Sequence, residues 1–145
     1  HDAIETTPNK EFAPEGWHVP SIDEWTTLEN YLIANGYNYD ESTTGNKIAK
    51  AMSSTTGWNS STSEGAPGND QSLNNDSGFN AFPEGLRYYG LGSFDLEGFS
   101  AVFWSSTEDN TNLAWNRYLD VSYSYLNRYN GTSKQFGFSV RFVRD

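Results

Sequence analysis

Ala114-Trp115-Asn116-Arg117-Tyr118-Leu119-Asp120-Val121-Ser122-Tyr123-Ser124-Tyr125-Leu126 is the stretch whose reading decides the fold. Apolar and aromatic residues recur at every second position, and successive side chains of a strand point to opposite faces. The alternation predicts a strand over 114–126. Trp115, Leu119, Val121, Tyr123 and Tyr125 face a core, with Arg117 as the exception in type, and Asn116, Tyr118, Asp120, Ser122 and Ser124 face outward. Amides, hydroxyls and tyrosine rings on one stiff face suit a recognition surface, because they hydrogen-bond in many ways at low entropic cost. An ordinary solvated sheet face is the alternative that the pattern alone leaves open.

The flanks extend this frame. Residues 101–105 read as a buried strand, 108–112 as a polar turn, and Phe138, Val140 and Phe142 as the inward side of a last strand. Asn130-Gly131 between alternating stretches is a strong hairpin signal. Upstream, Pro14-Glu15-Gly16 reads as a turn and Trp17-His18-Val19 as a short strand ended by Pro20. Ser21 with Glu24 three residues on forms a capping box. Trp25, Leu28 and Leu32 follow at helical spacing, and Gly36 closes the helix. A second helix is expected over 45–53, with Ile48, Ala51 and Met52 buried. Residues 55–76 form a long polar loop pinned by Trp58. Strands are expected at 79–82 and 86–89, followed by a glycine-punctuated loop over 90–98 anchored by Phe94. Helices first and short strands after make the class α+β with an antiparallel sheet. Residues 1–12 read as a lead-in and 13–145 as one domain.

Composition narrows the function. The 145 residues carry a net charge of −10. This argues against nucleic acid and anionic membrane surfaces, which need clustered Lys and Arg. No apolar run reaches membrane-spanning length. There is no cysteine, which removes thiolate catalysis, zinc–thiolate sites and disulfides. The chain opens on His1-Asp2 without a recognisable leader and reads as a mature or trimmed fragment.

Catalytic signatures are few. His1 is terminal, and His18, beside Trp17, reads as structural. No nucleophile elbow, phosphate loop or dinucleotide fingerprint occurs. Carboxylates are plentiful, but none stand out as a glycosidase pair. Asp70, Asn74, Asn75 and Asp76 are an oxygen-rich cluster that suits calcium without EF-hand spacing. A solvated loop is the reading preferred there, so no cofactor is expected.

Several phrases together resemble one family. They are Pro14-Glu15-Gly16-Trp17-His18-Val19-Pro20-Ser21 with Glu24-Trp25, Gly78-Phe79-Asn80-Ala81-Phe82-Pro83-Glu84-Gly85 with Arg87, Phe103-Trp104-Ser105-Ser106-Thr107-Glu108, Ala114-Trp115, and Gly137-Phe138-Ser139-Val140-Arg141 with Val143-Arg144-Asp145. The chain resembles the Fibrobacter succinogenes major paralogous domain, found in surface and secreted proteins of Bacteroidetes and related bacteria. That family is similar in turn to the C-type lectin fold and to formylglycine-generating enzymes. The resemblance implies two helices, paired terminal strands and a long excursion that builds a ligand face. It also implies an extracellular or cell-surface location. Where the family usually carries two cysteines this chain has Ala13 and Phe142, and the resemblance implies that the two positions are neighbours joined by apolar contact. The formylglycine chemistry needs cysteines that are missing. The sugar motifs of calcium-dependent lectins are missing too, since Trp58-Asn59 is followed by Ser60 and Trp115-Asn116 by Arg117.

The segment 110–133 also resembles the variable region of diversity-generating retroelement proteins, which use this fold. That resemblance puts Asn112, Asn116, Tyr118, Asp120, Ser122, Ser124, Asn127, Tyr129 and Asn130 on display as ligand-binding residues. The expected function is a non-catalytic module that binds a protein or cell-surface ligand. A carbohydrate-binding or glycan-processing module and a purely structural surface domain are the alternatives.

Overall fold

Ser21 starts the first helix as its sequence dictates. Its hydroxyl accepts the Glu24 N–H, and the Glu24 carboxylate accepts the Ser21 N–H. The N–H of Ile22 is taken from across the molecule by Thr107 Oγ1 at 2.9 Å. Gly36, at φ +80°, then ends the helix in a Schellman arrangement, with Tyr37 N–H on Leu32 O and Gly36 N–H on Ile33 O.

The computed structural model describes residues 12–145. The lead-in, apart from Phe12, and His1 lie outside the described residues. In chain order the elements are β1 (Trp17–His18), α1 (Ile22–Ala34), α2 (Ala49–Met52), a 3-10 turn (Gln71–Leu73), β2 (Leu86–Arg87), β3 (Phe94–Asp95), β4 (Ser100–Asn110), β5 (Leu113–Asp120), β6 (Asn127–Ser133) and β7 (Val143–Arg144). The class is α+β, with two helices and small antiparallel sheets. β4, β5 and β6 form a meander in that order, β1 pairs with β7, and β2 pairs with β3.

The meander has two faces, fixed by register. On one, Ala101 lies opposite Leu119 and Phe103 opposite Arg117. This face packs beneath α1 and α2 with Trp25, Leu32, Ile48, Met52 and Trp58 in the main core. Trp25, Phe79 and Phe103 meet pairwise with centroids 5.7–5.8 Å apart. On the other face Val102 lies opposite Tyr118 and Trp104 opposite Asn116. A smaller cluster of Val19, Trp104 and Ala114 with Phe136, Phe138, Val140 and Phe142 covers only one end of it.

Arg117 is buried on the α1 side at 1 % exposure and pairs with Glu29. Burial, with Arg128 nearby, pulls its pKa down to about 10, so the guanidinium stays charged at neutral pH. Glu29 also accepts from Asn46 Nδ2 at 3.1 Å. Asn46 in turn clamps Leu126, accepting its N–H and donating to its carbonyl.

Several expected elements differ. The strand predicted over 114–126 stops at Asp120, because Asp120 Oδ1 accepts the Ser122 N–H at 2.9 Å and turns the chain. Tyr123 and Tyr125, expected in the core, therefore lie exposed in the β5–β6 connection. Asn130-Gly131 is not a hairpin turn but lies inside β6. There Ala114 faces Thr132 while Asn116 faces Tyr129, and the extra β6 residue is absorbed as a bulge with Gly131 at φ +74°.

The second helix shrinks to Ala49–Met52 because the preceding loop wraps the Asn38 amide. That amide donates to Thr44 O and Gly45 O and accepts the Lys47 N–H. Residues 79–82 form no strand. Asn80 sits at φ +56° and gives its N–H to Asn75 Oδ1, leaving one parallel bridge, Ser53 with Ala81. The 86–89 strand is only Leu86–Arg87, and Phe138, Val140 and Phe142 pack from an irregular segment before β7. Phe142 does approach the Ala13 region, its ring 5.7 Å from that of Phe12.

Candidate ligand-binding groove on the open face of the sheet

Beyond the reach of the Phe136–Phe142 segment, the second face of the meander opens into two adjoining cavities. The smaller, about 330 Å³, is lined by Asn116, Tyr118, Asp120 and Tyr129 of the meander, with Leu86, Leu96 and Phe138 against them. The larger, about 810 Å³, runs on from Tyr129 and Thr132, which line both, to Tyr88, Tyr89, Leu91 and Phe136.

Each wall has a local cause. Gly85, at φ +70°, lets the chain turn into β2 directly against the Asp95 backbone, where any Cβ would overlap the Asp95 carbonyl. Arg87 and Gly137 exchange both backbone hydrogen bonds, at 2.8 and 2.9 Å. That exchange brings Phe136 beneath the tandem tyrosines. Its ring meets Tyr88 at 5.1 Å and Tyr89 at 5.2 Å, tilted by 60° and 81°. On the meander side, Tyr129 is positioned by pairing with Asn116.

The nine residues expected to be on display separate into four groups. Asn116, Tyr118, Asp120 and Tyr129 converge in the smaller cavity. Asn116 corrects the expectation of an outward, solvated residue. It shares the face of Tyr118 but is only 3 % exposed, because its Nδ2 donates to Thr132 Oγ1 at 2.7 Å beneath the groove. Asn127 pairs with Tyr118, and its amide nitrogen is buried without a hydrogen-bond partner. Ser122 and Ser124 belong to the β5–β6 connection, where the Ser124 carbonyl holds the Ala49 N–H at 3.1 Å. Asn112 and Asn130 are exposed, the one in the β4–β5 turn and the other on β6. Trp115, expected to face the core, is half-buried, with the Arg128 guanidinium 4.7 Å above its ring.

Tyr118 is half-buried. Burial chiefly, and then the nearby Tyr125, Asp120, Tyr123 and Tyr129, push its phenol up, so it stays protonated in neutral solution. Beside it Tyr123 and Tyr125 stack with centroids 5.3 Å apart and planes 11° apart.

Other sequence candidates have structural partners. His18 bonds Glu24 and Asp145, each at 2.7 Å, tying α1 to the end of β7. In the cluster considered for calcium, the Asn69 and Asp70 carbonyls and Asn74 Oδ1 receive the ammonium of Lys50. Asn75 Oδ1 is spent on Asn80 N–H and Asp70 Oδ1 on the Ser72 hydroxyl. The Asp70, Asn74 and Asn75 side chains thus serve the loop, and among the described residues no group of three or more His, Cys, Asp or Glu is placed to hold a metal.

Sequence reasoning missed Tyr88, Tyr89 and Phe136. The available signal was two tyrosines in tandem ahead of a glycine-rich loop. Alternation cannot place both on one wall, so only the early end of β2 reveals them.

Comparison with curated proteins and with solved structures gives no significant match. The model of the Fibrobacter succinogenes major domain, by contrast, matches residues 3–144, and the chain belongs to that family.

Proposed function

We propose that this domain is a non-catalytic binding module that presents the open face of its meander to a protein or cell-surface ligand, at or outside the cell surface. One observation carries the reading: the groove is built from tyrosines held by the fold yet left open, with Tyr88, Tyr89 and Tyr129 43 %, 52 % and 55 % exposed. A monomeric surface has little reason to keep so many rings in one place, and tyrosine supplies contact area at low entropic cost. The paired chain ends, the single long helix and the loop excursion are in keeping with a C-type lectin-like scaffold. On the same reading, 110–133 is a retroelement-diversified segment. A second copy of its coding sequence beside a reverse transcriptase gene, differing mainly at adenines, would support that reading.

The test is binding of the fluorescently labelled domain to whole cells, compared with a Tyr89→Ala/Tyr129→Ala double variant of equal Tm. Loss of binding in the variant is expected; equal binding by both proteins overturns the reading. The parallel Tyr123–Tyr125 pair favours a second reading, a platform for sugar rings, which a glycan array tests with Tyr123→Ala as its control.

A further inference from the structure

We infer that the groove seats a cationic side chain of a partner protein, a lysine, an arginine or a methylated ammonium. The inference rests on the reading of this face as a recognition surface and adds the chemistry of what it recognises.

Rings and charge together make the case. Tyr88, Tyr89 and Phe136 form a three-ring wall, and Tyr129 of the meander lines the same cavity. Asp95 lines the larger cavity and Asp120 the smaller, while no Lys, Arg or His among the described residues lines either. Each carboxylate spends one oxygen on a backbone N–H, Leu96 for Asp95 and Ser122 for Asp120, which fixes its position without neutralising it. Two nearby cations are engaged elsewhere. Arg128 lies over Trp115 on the opposite face, and Lys134 bonds Thr111 O at 2.9 Å and Glu108 at 3.1 Å. Arg87 is not part of the lining, and its guanidinium lies beside Gly92 at the margin of the larger cavity. Aromatic faces attract cations through their quadrupole, and more strongly where water is partly excluded.

The other ligand chemistries fit less well. An anion would meet two uncompensated carboxylates in a chain of net charge −10. A neutral sugar could donate to the free oxygens of Asp95 and Asp120 but would leave both charges uncompensated, and the Asn116 Nδ2 donor is already committed to Thr132. The overall negative charge also speeds the approach of a basic partner.

The test uses short acetylated peptides alternating serine with lysine, arginine, trimethyl-lysine, glutamine or glutamate. A neutral hexasaccharide is the further probe, and fluorescence anisotropy the readout. Lysine, arginine and trimethyl-lysine peptides should bind at least about tenfold more tightly than the glutamine peptide, and the glutamate peptide should not bind. Tyr129→Ala and Asp95→Asn should each weaken the lysine peptide about fivefold, with Tyr129→Phe restoring affinity. Asp23→Asn removes the same charge from the exposed start of α1 and should change affinity less than about twofold, as expected of a distant screened charge.

Equal losses in Asp23→Asn and Asp95→Asn would mean only diffuse attraction and would overturn the inference. So would absence of lysine-peptide binding, or equal binding of the glutamine peptide. Hexasaccharide binding lost in Tyr129→Ala would overturn the cationic ligand while leaving the recognition surface intact. If Tyr89→Ala and Tyr129→Ala change neither probe binding nor cell binding, both readings fall.

Discussion

The two faces of the β4–β5–β6 meander are made from the same strands and treated in opposite ways. Under α1, Ala101, Phe103, Arg117 and Leu119 are all buried, and even the guanidinium has its carboxylate. Across the sheet, Trp104 and Asn116 are buried at one end, while Tyr118, Asp120 and Tyr129 line an open groove. A helix with an apolar stripe closes one side over Ala101, Phe103, Arg117 and Leu119. The irregular chain before β7 covers only part of the other. The closed face should carry stability, and the open face should carry recognition.

The largest effects should come from the closed face. Leu119→Ala empties a site at 0 % exposure and should cost about 3 kcal/mol, read by urea unfolding. Glu29→Ala leaves Arg117 buried without its counter-charge and should also cost about 3 kcal/mol. If Glu29→Ala costs as little as an exposed substitution, the pair does not hold the face closed.

Gly85→Ala tests the boundary between the two functions. It forces a Cβ into the Asp95 backbone at a positive φ, and should cost about 2 kcal/mol while disrupting β2–β3 and hence the groove wall. Peptide or cell binding should fall more than expected from the unfolded fraction.

A smaller effect should follow pH. Hydrogen bonds to Glu24 and then Asp145 raise the His18 pKa in the folded state. That stability is fully present below the unfolded value of about 6.5, and is lost as pH rises through the raised folded value. Glu24 acts in the opposite sense. Burial pushes its carboxyl up, but the Ser21 N–H and then the His18 ring bring it below its usual value, so its contribution is lost on acidification. Stability from this clasp should peak between the two titrations and, at so exposed a site, amount to less than about 1 kcal/mol. His18→Gln should flatten the alkaline side of that peak in a series of thermal melts.

The smallest stability effect belongs to the open face. Tyr129→Ala should shift unfolding by less than about 0.5 kcal/mol while weakening binding of the lysine peptide about fivefold. A large loss of stability there would mean that Tyr129 is framework, and the contrast between the faces would fail.

Much of this contrast was legible in local pattern. Period-two alternation placed Asn116, Tyr118 and Asp120 on one face and Leu119 on the other, because strand geometry is set by the backbone. The capping box and Gly36 marked both ends of α1 because these signals act within one turn. Burial was less legible. Asn116 and Tyr118 share a face, yet Thr132, sixteen residues from Asn116, decides that one is covered. Asn130-Gly131 carries a turn signal, but pairing of β6 with β5 turned the same left-handed glycine into a bulge.

By itself, then, the sequence determined the family, the α+β class, the strand faces and the first helix, because each rests on residues close together in the chain or on the family's own phrases. Only the tertiary structure decided which face stays open, which tyrosines stand along it, and that Lys50 fills the loop cluster. These depend on segments such as 86–96 and 136–142 folding back over the sheet, and no local periodicity records where such a segment stops covering it.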